Sequence, residues 1–162
     1  IALSQNKGLL LHSCSILWNE QVIAFSGKSG VGKSTHARLW QEKYGVSILD
    51  GDVTACRVLK DGAIAYGLPW CGTSGQFLNQ SGILRAVVFL QQAKNNNIRK
   101  LDFKESYMYL VSRCFLLPWS NELTHDFLDV AQELATNTEF YLLECLPDFE
   151  AVEMVKKCLD LS

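Results

Sequence analysis

The sequence predicts an α/β fold, a single domain over residues 1–162 with a mixed, partly antiparallel sheet. Three observations predict it. A glycine-rich octapeptide at 27–34 lies between a short apolar run and an amphipathic stretch, which indicates strand, loop and helix. A hairpin pattern precedes the octapeptide, so antiparallel strands are expected beside the loop. Two helical patterns flank one apolar strand in the last third, and 162 residues suffice for one core.

The first predicted element is the hairpin, with strands at 13–17 and 22–25 around the polar turn Asn19-Glu20. With this turn, the numbers of opposed residues sum to 39. That register puts His12 across from Gly27, the first glycine of the octapeptide.

The remaining elements follow from apolar runs, turn residues and helix caps. In chain order we predict a helix at 34–43 ended by Gly45, a strand at 46–49, a hairpin with strands at 54–59 and 63–66, an irregular loop at 67–82, a strand at 84–90, a polar loop at 93–97, helices at 102–116 and 121–135, a strand at 139–143, and a final helix capped by Asp148.

Composition argues against several classes of partner. The net charge of −2 gives no bulk attraction to nucleic acid or to an anionic membrane, and no apolar run approaches a membrane span. None of the six cysteines shares a C-x-x-C spacing, so a zinc site is not expected. We interpret most cysteines as reduced and predict a cytoplasmic protein with no nucleic-acid or membrane partner.

The octapeptide fits G-x-x-x-x-G-K-[ST], the phosphate-binding P-loop. Its glycines let backbone amides approach a polyphosphate, and the following helix adds the partial positive charge of its N-terminus. Lys33 is expected to reach the β- and γ-phosphates, as a catalytic as well as a binding residue, and Ser34 is expected to ligate Mg²⁺. The predicted ligands are therefore ATP, as the nucleoside triphosphate, and Mg²⁺. The residues expected to bind them are Gly27, Lys28, Ser29, Gly30, Val31, Gly32, Lys33, Ser34 and Thr35.

Two acidic residues follow the strand at 46–49, where ligands gather in such sheets. Asp50 and Asp52 are candidate catalytic residues, and Asp52 is also a candidate Mg²⁺ ligand. The simpler alternative is a polar turn, because Asp-Gly is a common turn dipeptide. The hairpin register adds His12 as a catalytic candidate, since neutral imidazole is a metal ligand or proton partner. His36 and His125 are interpreted as structural or surface residues.

The loop at 67–82 is the element we expect to face the acceptor substrate. Its glycines would allow closure over the phosphates, and Trp70, Cys71 and Gly72 are candidate substrate contacts. Trp70 could equally be a packed core aromatic. Arg85 is a further candidate, either stabilising transferred charge or packing its stem along the strand.

These residues resemble a known family. His12 lies fifteen residues before Gly27, the P-loop follows, and a strand ends in Asp50-Gly51-Asp52. This pattern resembles the catalytic domain of HPr kinase/phosphorylase, within the phosphoenolpyruvate-carboxykinase-like group. Segments 66–72, 84–90 and 148–152 are similar to the small HPr-kinase-like proteins of that group.

The resemblance implies a role for each matching residue. Lys33 and the P-loop amides would bind the β/γ-phosphates, and Ser34 would ligate Mg²⁺. Asp52 matches the second of two adjacent family aspartates, and His12 a histidine that supports the acidic pair or a metal. The first aspartate, the family's proton acceptor, is Gly51 here, so Asp50 is the candidate substitute. The family also permits a homo-oligomer.

Two functions remain open at this point. The first is an ATP- and Mg²⁺-dependent kinase that phosphorylates a hydroxyl of a peptide, protein serine or small molecule. The second is a non-catalytic nucleotide- or phosphate-sensing module, which Gly51 favours. Full phosphoenolpyruvate carboxykinase activity is disfavoured because the chain lacks a separate oxaloacetate-binding domain.

Overall fold

The computed structural model describes residues 7–69, 75–115 and 121–162, and these form one α/β unit. The strands are β1 (Gly8–Trp18), β2 (Gln21–Ser26), β3 (Ser47–Asp50), β4 (Val53–Leu59), β5 (Gly62–Gly67), β6 (Ser81–Gln92), β7 (Asn97–Lys100) and β8 (Glu139–Cys145). The helices are α1 (Lys33–Tyr44), α2 (Phe103–Val111), α3 (Asn121–Asn137) and α4 (Phe149–Cys158).

The sheet is mixed, as predicted. Strand β6 runs parallel to β2 and to β8, and the other pairings are antiparallel. Strand β2 pairs with both β1 and β6, while β4 and β5 connect β1 to β6, so five strands close a ring. The carboxyl ends of β2, β3, β6 and β8 lie at one edge, and this edge carries the P-loop.

The first hairpin has the predicted register. Ser13 pairs with Ser26 and Leu17 with Val22, so opposed numbers sum to 39. The next pairing of β1 places His12 opposite Val53 of β4. This register brings the turn between β3 and β4 to the start of the P-loop.

Hydrophobic side chains fill both faces of the sheet. On one face, α1 and α4 contribute Trp40 and Val155 to a core with Phe25 and Val88. On the other face, α2 and α3 pack against β-strand residues. The buried apolar residues of these two helices are Leu110, Phe127, Val130, Ala131, Leu134 and Ala135. The P-loop lies at the sheet edge between the two cores. In the described ranges, no helix is both long and apolar enough to cross a membrane.

Two predicted boundaries are wrong, and both have a tertiary cause. The helix predicted at 102–116 ends at Val111, because the following backbone pairs with β1: Cys114 bridges Leu11, and Phe115 N–H donates to Leu10. The polar loop predicted at 93–97 runs into strand β7, an edge strand on β8. Polar side chains are compatible with an edge strand, whose outer side faces water.

Candidate functional site

The P-loop has the backbone geometry that its glycines predict. Gly27, Gly30 and Gly32 have φ values of 154°, 77° and 109°, in the region that side chains disfavour. A Cβ at Gly27 would lie 2.9 Å from Val31 Cγ1 and 3.0 Å from the Leu90 carbonyl oxygen. Gly27 therefore lets the loop pack closely against the end of β6.

The N-terminus of α1 opens directly onto the loop. Its N-cap is Gly32, which has no side chain to accept from the first amides of the helix. Those amides have no intrahelical partner and, together with the helix dipole, form an anion-binding site. Ser34 is partly exposed and Thr35 exposed at this N-terminus.

Lys33 lies folded against the loop. Its Nζ is 3.3 Å from the carbonyl oxygens of both Gly27 and Lys28. Burial lowers the pKa of Lys33, and the nearby Asp52 carboxylate raises it in part. The ammonium group is thus held over the loop, where a phosphate would displace only weak carbonyl contacts.

His12 and Asp52 lie together beside Lys33. His12 Nε2 is 3.5 Å from Asp52 Oδ1, and both side chains are partly exposed. The His12 backbone is fixed on two sides, because its carbonyl accepts from the Ser26 hydroxyl and its N–H donates to the Arg113 carbonyl. Burial and the positive charge of Lys33 lower the pKa of His12, although Asp52 opposes the shift. The imidazole therefore favours its neutral form.

Asp50, the candidate proton acceptor, is engaged by backbone amides in this structure, and its catalytic role stays a prediction. It is fully buried. One carboxylate oxygen accepts from the N–H groups of Asp52 and Val53, both at 2.9 Å, and the other from Leu68 N–H at 2.8 Å. Burial raises the pKa of Asp50, and these three amides partly offset it. Asp50 is a positioning residue that fixes the turn carrying Asp52.

The ends of the 67–82 loop are tied to the same turn. Gly51 N–H donates to Gln76, and Leu78 N–H donates to Leu49. A Cβ on Gly67 would lie 2.1 Å from the Leu78 oxygen and 2.6 Å from the Leu49 oxygen, so a glycine is needed here. The predicted contacts Trp70, Cys71 and Gly72 lie outside the described residues.

Arg85 is not brought to the site. Its guanidinium pairs with Glu139 and donates to the Leu159 carbonyl at 3.2 Å. It lies on β6 four residues before Phe89, the residue that pairs with Ser26 at the P-loop edge. Four residues correspond to about 13 Å of strand, so Arg85 is too distant to stabilise transferred charge.

No protein-family model matches the chain. Dephospho-CoA kinase from Synechocystis sp. is 30% identical over an alignment of 153 residues, and the match covers 85% of this chain and 72% of that enzyme. The chain belongs to the family of P-loop kinases that includes this enzyme.

The fold of this P-loop kinase is that of an HPr kinase. The solved Hpr(Ser) kinase/phosphatase from Coxiella burnetii superposes with a TM-score of 0.51. The match covers 93% of this chain and 88% of that chain, at 11% sequence identity. The predicted fold class and resemblance are therefore confirmed at the level of an HPr-kinase-like P-loop protein.

The oxygen donors of the kinase fit Mg²⁺. This ion prefers one or two carboxylates with phosphate and water oxygens, and Asp52 and Ser34 supply a carboxylate and a hydroxyl beside the P-loop. No cluster of three or more His, Cys, Asp or Glu residues within 7–69, 75–115 and 121–162 could hold a metal. A magnesium site with this donor set would need the phosphates of a nucleotide to complete it.

Arg113 is a residue of the site that sequence reasoning missed. It follows α2 and lowers the pKa of both His12 and Lys33 through its charge. With Lys28 and Tyr109 it lines a cavity of about 530 Å³ on one side of the P-loop. Nothing in the sequence singled out Arg113, because the helix predicted at 102–116 includes this residue. The observed helix ends at Val111, before Arg113.

Proposed function

We propose that this protein is an ATP- and Mg²⁺-dependent kinase that transfers the γ-phosphoryl group to a hydroxyl. The observation that carries the proposal is the convergence of the P-loop, Lys33, Asp52 and His12 at the N-terminus of α1. The acceptor class is a peptide or protein serine, or a small molecule. We place the activity in the cytoplasm, where ATP and Mg²⁺ are abundant.

Phosphoryl transfer depends mainly on positioning and on stabilisation of charge. The P-loop amides and Lys33 would bind the β- and γ-phosphates, while Ser34 and Asp52 would hold Mg²⁺. When bound, Mg²⁺ neutralises charge that develops on the phosphate oxygens. His12 would keep the Asp52 carboxylate oriented, and Arg113 would add positive charge on the acceptor side.

A specific observation favours a second candidate, a nucleotide-sensing module without turnover. Gly51 provides no carboxylate, and both oxygens of Asp50 are engaged by backbone amides. Within this turn, the carboxylate that backbone amides do not engage is that of Asp52, which pairs with His12 and is also the proposed metal ligand. Such a site supports tight nucleotide binding but gives weak assistance to proton removal.

The deciding experiment measures transfer from γ-labelled ATP with Mg²⁺ to defined acceptors. The panel should include the HPr protein, dephospho-CoA and water, because the compared kinases act on the first two by name. Labelled product with any acceptor supports the kinase. Tight ATP binding without transfer or hydrolysis supports the sensing module.

Two variants test the residue roles. Lys33→Ala should lower ATP affinity at least tenfold, whereas Lys60→Ala, in the exposed turn before β5, should leave it unchanged. Asp52→Asn should lower the transfer rate about 100-fold or more while ATP binding largely survives, since charge stabilisation by one group is worth a few kcal/mol. The matched control is Asp61→Asn. Full activity of Asp52→Asn would refute the metal assignment.

A further inference from the structure

One side of strands β1, β4, β5 and β6 belongs to neither hydrophobic core. In an antiparallel pair, opposed residues project from the same side, so the strand register assigns each side chain to a side of the sheet. Two adjacent rows of opposed residues lie on this side, and neither core of the described chain includes any of them. We call this side the open face; its residues are Arg57, Ile64 and Ile83 in one row and Leu10, Ala55 and Tyr66 in the next.

The opposite side of the same strands is covered by helix α3. Cys56 of β4 and Ala65 of β5 are buried in the core that this helix completes. Side chains alternate between the two sides of a strand, so the open face is the side that α3 does not cover. Ile83 is 61% exposed on it. A cavity of about 360 Å³ is lined partly by Ala55 and Tyr66. The open face thus offers apolar surface with a recess in it.

The open face runs into the proposed catalytic groups at one end. His12 lies two residues after Leu10 on β1, so both side chains are on the same side, and His12 opposes Val53, the neighbour of Asp52. Phe115 N–H donates to the Leu10 carbonyl, and the Phe115 ring is 50% exposed and stacks on His12 with centroids 6.1 Å apart. An acceptor whose hydroxyl reaches Asp52 therefore meets the open face beside it.

The size of the open face suits a short segment of chain better than a second copy of this protein. Strands lie about 4.8 Å apart and rise about 3.4 Å per residue, so four strands and the rows from His12 to Arg57 span roughly 14 Å in each direction. The area is about 200 Å², whereas a standard interface buries about 800 Å² per partner. About four residues of extended polypeptide have this length.

Arg57 gives the open face a positive charge at the end away from Asp52. Its side chain is exposed, and its guanidinium forms no ion pair or hydrogen bond within the described ranges. It lies on β4 about 13 Å beyond Val53, the residue opposite His12. A carboxylate is the group that pairs best with a guanidinium. The charge therefore favours an acidic segment.

We propose that the open face docks the acceptor as an extended acidic peptide segment whose hydroxyl lies at Asp52. At the rise of a strand, an apolar side chain about two residues from the hydroxyl would cover Ala55 and Tyr66, and a carboxylate about four residues away would pair with Arg57. This inference rests on the proposed function, because it names the acceptor of the proposed kinase.

The test measures peptide binding by fluorescence anisotropy without nucleotide. The probes are labelled peptides that carry serine, leucine and glutamate at the proposed spacing, made in both chain orders, and a matched set has lysine in place of glutamate. In one chain order at least, the wild-type protein should bind the acidic peptide about fivefold more tightly than the basic one, the scale of an exposed ion pair. Transfer from γ-labelled ATP to the serine should follow the same preference.

Two pairs of variants separate docking from a structural effect. Arg57→Glu should reverse the preference, so that the basic peptide binds more tightly, whereas a loss of structure would weaken both peptides alike. Lys104→Glu makes the same change of sign on α2, on the other side of the sheet, and should keep the wild-type preference. Ile83→Ser should weaken both peptides about threefold. Met108→Ser, at a position 63% exposed on α2, should weaken neither.

Three results would overturn the docking of a peptide. They are equal or absent binding of the two peptide sets, an equal effect of Arg57→Glu and Lys104→Glu, and a wild-type dimer that Ile83→Ser dissociates in sedimentation, which would assign the open face to a second copy. Transfer to HPr or dephospho-CoA with no transfer to either peptide set would overturn this inference alone. Failure to bind ATP would refute the proposed function and, with it, the role of the peptide as acceptor.

Discussion

At the scale of single residues, the two aspartates of the Asp50-Gly51-Asp52 turn have different tasks. Asp50 is buried and accepts three backbone hydrogen bonds, whereas Asp52 is partly exposed beside His12 and Lys33. The contacts of Asp50 hold the turn in place, and they leave Asp52 as the partly exposed carboxylate of that turn.

The support role of Asp50 makes a testable prediction. Asp50→Ala leaves three backbone N–H groups without their acceptor, and unsatisfied buried donors cost about 1–3 kcal/mol each. We expect the free energy of unfolding to fall by roughly 3 kcal/mol, measured by urea denaturation. Exposed Asp61→Ala is the control and should change it by less than about 0.5 kcal/mol. If Asp50→Ala unfolded at the same urea concentration as the wild-type protein, the support role of Asp50 would be wrong.

At the scale of elements, backbone hydrogen bonds join the 67–82 loop to the end of β3 and to the turn that follows it, beside the P-loop. The 67–82 loop starts at Gly67, whose Cα faces the backbone oxygens of Leu49 and Leu78. Both neighbours are backbone atoms, so they cannot move aside as a flexible side chain would. The path of the loop past β3 therefore depends on this glycine.

Substitution at Gly67 tests that dependence. Gly67→Ala should destabilise the protein by roughly 3 kcal/mol or more, because its Cβ overlaps backbone oxygens at 2.1 and 2.6 Å. The comparison is Gly75→Ala, where a Cβ meets open space but φ is 64°, so a cost of about 1 kcal/mol is expected. Thermal unfolding measures both. Equal costs would show that the close approach does not constrain the loop.

The elements also show which features of the fold and of the site could be predicted from the sequence. The hairpin register follows from a local turn and was predicted correctly, which placed His12 near the P-loop. One Asp50 oxygen accepts from Leu68 N–H, and Arg113 lies next to Cys114, which pairs with Leu11. These contacts join residues distant in sequence, and no local pattern contains them. The fold was therefore more predictable than the environment of each site residue.

At the scale of the whole molecule, one buried histidine couples global stability to pH. His36 is a residue of α1, and its side chain faces the sheet, with its ring centroid 4.6 Å from that of Phe25. Burial lowers the pKa of His36 from 6.5 to about 4, and Asp148 opposes the shift only in part. Because the folded protein keeps His36 neutral, the unfolded chain binds a proton at this residue more readily in acid.

The sign of the effect follows from proton linkage. Above pH 6.5, His36 is neutral in both states and contributes no pH dependence. Between pH 6.5 and 4 the unfolded chain binds a proton that the folded protein excludes, so stability falls as the pH is lowered. A shift of this size corresponds to about 3 kcal/mol, given 1.36 kcal/mol per pKa unit.

The measurement is the free energy of unfolding from pH 7.5 to 4 for the wild-type protein and for His36→Gln. Carboxylates titrate in both proteins, so the difference between the two curves isolates His36. The wild-type protein should lose about 3 kcal/mol more than His36→Gln over this range, with most of the loss below pH 6. The exposed His125→Gln variant should follow the wild-type curve. Parallel curves for wild type and His36→Gln would show that the folded protein admits a protonated His36, and that α1 is not locked against the sheet by a neutral ring.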